Sequence, residues 1–116
     1  MRRSGEVTLA ANEEGCAEQL ARFFRGVSAV RIPVQVAALR AGTSRLREAT
    51  VLEFAGGENA IFVSTLPLEF DDVVRIERGH KGSAAEAAVI AVQYHEGRKA
   101  VAVRFLRGRC DWVTQP

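Results

Sequence analysis

Two histidines and a few carboxylates are the residues of this chain best suited to acid–base chemistry or to binding a metal ion. His80 and His95 lie in turn-like segments, with no cysteine or carboxylate partner at metal-ligand spacing. Glu53 could form an acid pair with Asp71 or Asp72, but an Asp-Asp step is first of all typical of a turn. Because no nucleophile–base pair, phosphate loop or metal set is visible, the sequence indicates a protein that is not an enzyme.

Arginines are the other chemically versatile residues, because guanidinium groups bind phosphate and stack on nucleobases. Arg22 and Arg25 fall at the end of a predicted helix, where their charges would offset the negative end of its dipole. That structural role is one interpretation, and contact with a ligand is the other. Arg104, Arg107 and Arg109 form a basic cluster, for which a solvated rim is the first interpretation and phosphate binding the second.

The composition is that of an ordinary globular domain with one modest core. Of the 116 residues, 47% are hydrophobic and 26% are charged, and the formal net charge is +2. So small a charge argues against nucleic acid or an anionic membrane as the main partner. Cys16 and Cys110 are too few for a disulfide framework, and no apolar run is long enough to span a membrane. We therefore expect reduced thiols, no signal peptide and a cytoplasmic location.

An amphipathic helix is predicted over residues 13–25. Asn12 has the side chain of an N-cap, and Gly26 suits the position just after a helix. The apolar face, at i, i+4, i+7 and i+8 spacing, would consist of Cys16, Leu20, Phe23 and Phe24. We predict that the leucine and both phenylalanines are largely buried, either on the rest of the domain or in a homodimer contact.

The chain is organised around residues 50–77, which contain three short β-prone runs. The period of two in these runs is typical of half-buried strands, and it places Leu52 and Phe54 on one face. Gly56, Gly57 and Asn59 suit a turn that needs positive φ. This stretch is therefore predicted to form a meander of antiparallel strands.

Further strands are predicted over residues 31–39, 87–94 and 99–106. Six short antiparallel strands favour a closed barrel, since closure removes exposed edges. Several strand residues are small enough for a crowded interior or a surface beneath a packed helix: Ala87, Ala88, Ala91, Ala100 and Ala102. We divide the chain into an N-terminal tail and helix, residues 1–26, and a barrel domain, residues 27–116.

Three pieces of the chain resemble the PilZ domain, the small barrel that many bacterial proteins use to bind cyclic di-GMP. The most specific is Ser64-x-x-Pro67-Leu68, which that family places between two strands. The others are Arg31-Ile32-Pro33-Val34-Gln35-Val36 and the closing strand that ends in Val103-Arg104-Phe105. The resemblance covers roughly residues 22–112 and implies an all-β, six-stranded antiparallel PilZ-like barrel with one or two flanking helices.

The resemblance also implies a ligand site, although this sequence departs from both ligand motifs of the family. In place of RxxxR stand Arg22 and Arg25, three residues apart, with Arg31 further on. In place of (D/N)xSxxG stands a segment with Glu53 for the aspartate and Ala55 for the serine. The last glycine of that motif is replaced by Glu58 or, one residue later, by Asn59.

These departures predict a PilZ-like regulatory or binding module of bacterial second-messenger signalling in which cyclic di-GMP binding is weak or absent. Such a module would act through protein contacts, without another cofactor, and it could form a homodimer. The alternative is a working cyclic di-GMP receptor that uses Arg22, Arg25 and Arg31. A nucleic-acid-binding barrel of the OB kind would need aromatic side chains exposed between basic residues, and most aromatic residues here are expected to be buried.

Overall fold

The computed structural model describes residues 15–39, 46–79 and 83–108 of the chain. One helix and six strands lie in these ranges: α1 (Cys16–Ala21), β1 (Ser28–Ala38), β2 (Leu46–Ala55), β3 (Asn59–Val63), β4 (Val73–Arg78), β5 (Ser83–His95) and β6 (Arg98–Phe105). The predictions made for residues 1–14, His80, Arg109 and Cys110 fall outside the described residues.

The six strands form a closed antiparallel barrel, as predicted. Their order around the barrel is β1-β2-β3-β6-β5-β4, and β4 pairs with β1 to close it. The prediction of a meander over residues 50–77 is wrong in one respect. Strand β3 pairs with β2 and β6, whereas β4 pairs with β1 and β5, so these consecutive strands are not neighbours.

The loop of residues 64–72 carries the chain from β3 to β4 and contributes to the core. Leu66 and Leu68 are buried and belong to the apolar cluster inside the barrel. Asp71 has a φ of 74°, and its N–H donates to the carbonyl of Val89 on β5. The loop is therefore tied both to the barrel interior and to a strand that is distant in sequence.

Apolar side chains form two clusters, one inside the barrel and one on its outer surface beneath α1. Strand β6 contributes to both because its side chains alternate. Val101, Val103 and Phe105 point inward, and Ala100 and Ala102 point outward to the helix, the second of the two places predicted for the small residues. The alanines matter because their small side chains leave room for a helix directly against the sheet.

A β-bulge separates two side chains that strict alternation would place together. Leu52 lies in the barrel interior, but Phe54 packs against the outer cluster, so the predicted shared face is wrong. The pairing of β2 with β3 shifts between these two residues, and the extra residue is Glu53. A bulge inserts one residue into a strand and thereby reverses the facing of the later residues in that strand.

Helix α1 is shorter than predicted, because it ends at Ala21 rather than near residue 25. The N–H groups of Phe23 and Phe24 donate to carbonyls three residues earlier, the pattern of a tight 3₁₀ turn. This turn changes the angular spacing of the side chains. Leu20 is buried, as predicted, but Phe24 is only half-buried and Phe23 is 76% exposed, so neither ring is largely buried on the barrel.

Gly56 is required for a reason other than the predicted positive φ. Positive φ values occur at Gly26, Gly79, Gly97 and Gly108, while Asn59 is the first residue of β3. At Gly56 a Cβ atom would overlap the carbonyl oxygen of Gly26 and lie 3.1 Å from its carbonyl carbon. The absence of a side chain therefore allows the segment after the helix to cross the β2–β3 turn in backbone contact.

Candidate functional site

Two of the six predicted ligand residues, Arg31 and Glu53, line one surface cleft, which we call the helix-side cleft. Its volume is about 340 Å³, and it lies between α1, the start of β1 and the end of β2. The other lining residues are Glu18, Ala29, Val30, Val51 and Phe54. The cleft is thus lined by four apolar and three charged side chains.

The bulges in β1 and β2 bring Arg31 and Glu53 to the same cleft. The register of this strand pair shifts between Ala29 and Ile32, so that Val30 and Arg31 stand opposite Glu53 alone. Bulges re-aim side chains and are frequent beside binding sites. The resemblance assigned both residues to one ligand site, but the alternation of the sequence carries no signal for where the bulges fall.

The charges of the helix-side cleft favour a cation over an anion. One guanidinium, that of Arg31, stands among the carboxylates of Glu18 and Glu53. Glu18 accepts a hydrogen bond of 2.9 Å from the N–H of Gly15, which fixes its carboxylate at the start of α1. In the described part of the chain no ion pair joins Arg31 to either carboxylate. The lining side chains together carry one net negative charge.

Arg22 and Arg25 lie outside the lining of this cleft, on the exposed segment between α1 and β1. That segment passes over the β2–β3 turn where Gly26 meets Gly56. The structure therefore brings the segment with both arginines next to the β2–β3 turn, where the resemblance placed the departures from the (D/N)xSxxG motif. It does not bring their side chains into the cleft of Arg31.

Ala55 and Asn59, the remaining predicted ligand residues, belong to the scaffold. The side chain of Ala55 is buried in the cluster inside the barrel. The Nδ2 group of Asn59 donates a hydrogen bond of 3.2 Å to the carbonyl of Val103 on β6. Neither side chain lines the helix-side cleft.

A carboxylate that the sequence did not single out holds the chain together after β3. Glu48 on β2 accepts hydrogen bonds from the hydroxyl of Ser64 at 2.7 Å and from the N–H of Thr65 at 2.9 Å. The Thr65 hydroxyl donates to the same carboxylate, and Ser64 Oγ accepts from the N–H of Leu66. The serine of the Ser64-x-x-Pro67-Leu68 motif therefore anchors the loop. Its partner lies 16 residues away, so spacing alone could not reveal it.

These contacts lower the pKa of Glu48. Burial alone would raise it, but the hydrogen bonds from the Thr65 side chain, Ser64 and the Thr65 backbone, together with the charge of Lys99, outweigh burial. In the unfolded chain the carboxyl returns to its ordinary pKa of 4.5. The unfolded state then binds the proton more readily, so the stabilisation by Glu48 is complete above that value. It is lost as the pH falls through the lower pKa of the folded state.

We expect Glu48→Gln to lower the free energy of unfolding at neutral pH by about 1 kcal/mol, because charge-assisted hydrogen bonds become neutral ones. The stability of this variant should also fall less steeply than that of the unmodified chain as the pH drops below 4.5, the ordinary pKa of the carboxyl. Urea unfolding at several pH values measures both effects. Glu58→Gln, at an exposed site, controls for the loss of one charge. Equal pH dependence in the two variants would contradict the assigned role of Glu48.

A second cleft lies at the C-terminal end of β3, beside the hairpin of β5 and β6. We call it the hairpin cleft. Its volume is about 500 Å³. It is lined by residues 63–65 and by Tyr94, Gly97, Arg98 and Lys99. Its charged lining side chains are both cations, in contrast to the helix-side cleft. Lys99 Nζ also donates a hydrogen bond to the carbonyl of Leu66.

No family model matches this chain, and no curated protein matches it significantly. Among the described residues there is no group of three or more histidine, cysteine or acidic side chains that could hold a metal ion. The helix in the described part of the chain is too short to cross a membrane. The geometry of the two clefts is therefore what bears on function.

Proposed function

We propose that the chain is a cytoplasmic PilZ-like binding module of bacterial second-messenger signalling that acts through protein contacts and binds cyclic di-GMP weakly or not at all. The observation that carries this proposal is the charge of the helix-side cleft, where Glu18 and Glu53 outnumber Arg31. The ligand of the family carries two phosphate charges, and a site for it needs an excess of cations.

The energetic argument rests on the two carboxylates. A carboxylate about 6 Å from a phosphate charge repels it by roughly 3 kcal/mol at an effective dielectric constant near 20. Since 1.4 kcal/mol corresponds to one decade of affinity, one such contact weakens binding by about two decades. The buried Ala55 supplies no hydroxyl to offset this, and a missing hydrogen bond costs about 1 kcal/mol more.

A working cyclic di-GMP receptor is the second candidate, and one observation favours it. The backbone contact between Gly26 and Gly56 places the segment of Arg22 and Arg25 beside the β2–β3 turn. A ligand that bridged the segment and the turn could contact these arginines without entering the helix-side cleft. The two candidates differ in the expected affinity and in the residues on which it depends.

Calorimetric titration with cyclic di-GMP distinguishes them. For the unmodified chain we expect a dissociation constant weaker than about 100 μM, two decades above the micromolar range. The double variant Glu18→Gln, Glu53→Gln should bind about tenfold or more tightly than the unmodified chain, since it removes both negative charges from the cleft. Glu69→Gln with Glu86→Gln, which removes the same number of carboxylates away from the cleft and from the motif positions, is the matched control.

Micromolar binding by the unmodified chain that is lost in Arg22→Ala and Arg25→Ala would overturn the proposal in favour of the receptor. Equal affinity gains in the cleft variant and the control would show that overall charge, rather than the cleft, limits binding.

A further inference from the structure

The hairpin cleft is built on a rigid support. Tyr94 pairs with Lys99 across the hairpin, and the two turn residues, Glu96 and Gly97, have φ values of 52° and 78°. Positive φ at both positions is the signature of a type I′ turn, whose twist matches that of the strands. The N–H of Ser64 donates to the carbonyl of Lys99 at 2.9 Å, which ties β3 to the hairpin. A surface fixed in this way loses little conformational entropy when it binds.

The charges at this cleft are complementary to an acidic partner. Arg98 is exposed, and its guanidinium makes no hydrogen bond or ion pair within the described ranges. Lys99 adds a second positive charge, partly balanced by Glu48, which is held by Ser64 and Thr65. The nearest carboxylate on the turn, that of Glu96, lies 3.7 Å from a ring nitrogen of His95 and outside the lining.

Tyr94 gives the cleft an aromatic contact surface. Its side chain is 73% exposed although it continues the inward-facing row of β5, because it extends beyond the barrel interior. Tyrosine and arginine are the residue types enriched among the energetically dominant positions of protein interfaces. A site for a small molecule would instead enclose about 70–90% of its ligand, which a cleft bordered by exposed side chains does not do.

We propose that the hairpin cleft binds an acidic segment of a partner protein, with Tyr94 and Arg98 as its main contacts. This inference rests on the proposed function, since it names the surface and the class of partner through which the module would act. The partner segment would place carboxylates at Arg98 and Lys99 and an apolar or aromatic side chain against Tyr94. The helix-side cleft, with its negative charge, would not compete for such a segment.

The test uses the acetylated peptide Glu-Glu-Phe-Glu-Glu as the probe and the full chain, with binding followed by backbone amide NMR shifts. We expect shifts that are concentrated at Thr65, Tyr94, Gly97 and Lys99 and that decrease with added salt, as electrostatic contacts do. Arg98→Glu should weaken the dissociation constant by about tenfold or more, since it turns an attraction into a repulsion. Arg104→Glu, an exposed position on the same strand outside the cleft, is the matched control.

Tyr94→Ala should weaken peptide binding while the melting temperature stays unchanged, because the exposed ring adds little to stability. The proposal is overturned if millimolar peptide produces no shifts at the cleft, or if Arg98→Glu and Arg104→Glu weaken binding equally. It is also overturned if the peptide Lys-Lys-Phe-Lys-Lys binds as well, or if the cleft proves to be covered by a second copy or by residues 1–14.

Failure here is distinguishable from failure of the proposed function, because cyclic di-GMP is titrated separately into the same protein. Micromolar nucleotide binding would reject the degenerate ligand site whether or not the peptide binds. Absent peptide binding together with absent nucleotide binding would reject only the assignment of this cleft.

Discussion

Gly56→Asn should destabilise the protein by about 2–3 kcal/mol, the cost of forcing extra atoms into a closely packed site. A Cβ atom at this position overlaps the carbonyl oxygen of Gly26, which is backbone and cannot move aside as the end of a flexible side chain could. The segment between α1 and β1 would have to lift from the β2–β3 turn. Denaturant unfolding measures the effect as a lower midpoint, with an unchanged slope if the barrel stays closed.

Gly79→Asn is the matched control for this substitution. Gly79 has a φ of 59° and open space around its Cβ direction, and asparagine tolerates that conformation better than most residues. We expect a loss of at most about 1 kcal/mol there. Similar losses at both glycines would mean that backbone conformation, rather than contact with Gly26, determines the requirement for glycine at Gly56.

Leu20→Ala should lower the free energy of unfolding by about 2–4 kcal/mol, the usual cost of removing a buried leucine side chain. Leu20 is 4% exposed and packs with Ile61, Ala100 and Ala102 on the outer surface of the barrel. The alanines on that surface have no longer side chains that could fill the space, so much of the cavity should remain. Thermal and urea unfolding should both show the loss.

Phe23→Ala is the contrasting variant, and we expect a change within about 0.5 kcal/mol, as for surface substitutions. The two residues are three positions apart, yet Phe23 is 76% exposed. A loss of several kcal/mol in Phe23→Ala would show that the ring is covered, for example in a homodimer, and a concentration-dependent melting temperature would identify that case. A stability unaffected by Leu20→Ala would mean that α1 contributes nothing to the fold.

The two clusters explain why the helix and the barrel are interdependent. Strands β3, β5 and β6 each give side chains to the interior and to the surface beneath α1. The Sγ atom of Cys16 also lies 3.0 Å from the carbonyl oxygen of Gln93. The side-chain amide of Gln93 donates a hydrogen bond to Oε1 of Gln19. The helix therefore covers a surface that would otherwise expose apolar side chains to water.

For the candidate site, the resemblance assigned Arg31 and Glu53 to one ligand site, and the structure places both in the lining of one cleft. It also assigned Ala55 and Asn59 to a ligand, whereas the structure uses them in the core and in the pairing of β3 with β6. A motif position specifies the type of a residue. The side of the sheet on which its side chain lies depends instead on the register with the neighbouring strand. One inserted residue, Glu53, changes that side.

The sequence by itself determined the strands and the closed barrel, because alternation and turn residues are local signals that each strand carries alone. It also determined the two faces of β6, since no bulge interrupts Val101, Val103 and Phe105 on the inner side. Only the tertiary structure decided where bulges fall, where α1 ends and which residues share a cleft. These features depend on contacts between residues far apart in the chain, such as Gly26 with Gly56 and Glu48 with Ser64. A local sequence pattern contains no information about the free energies of such contacts.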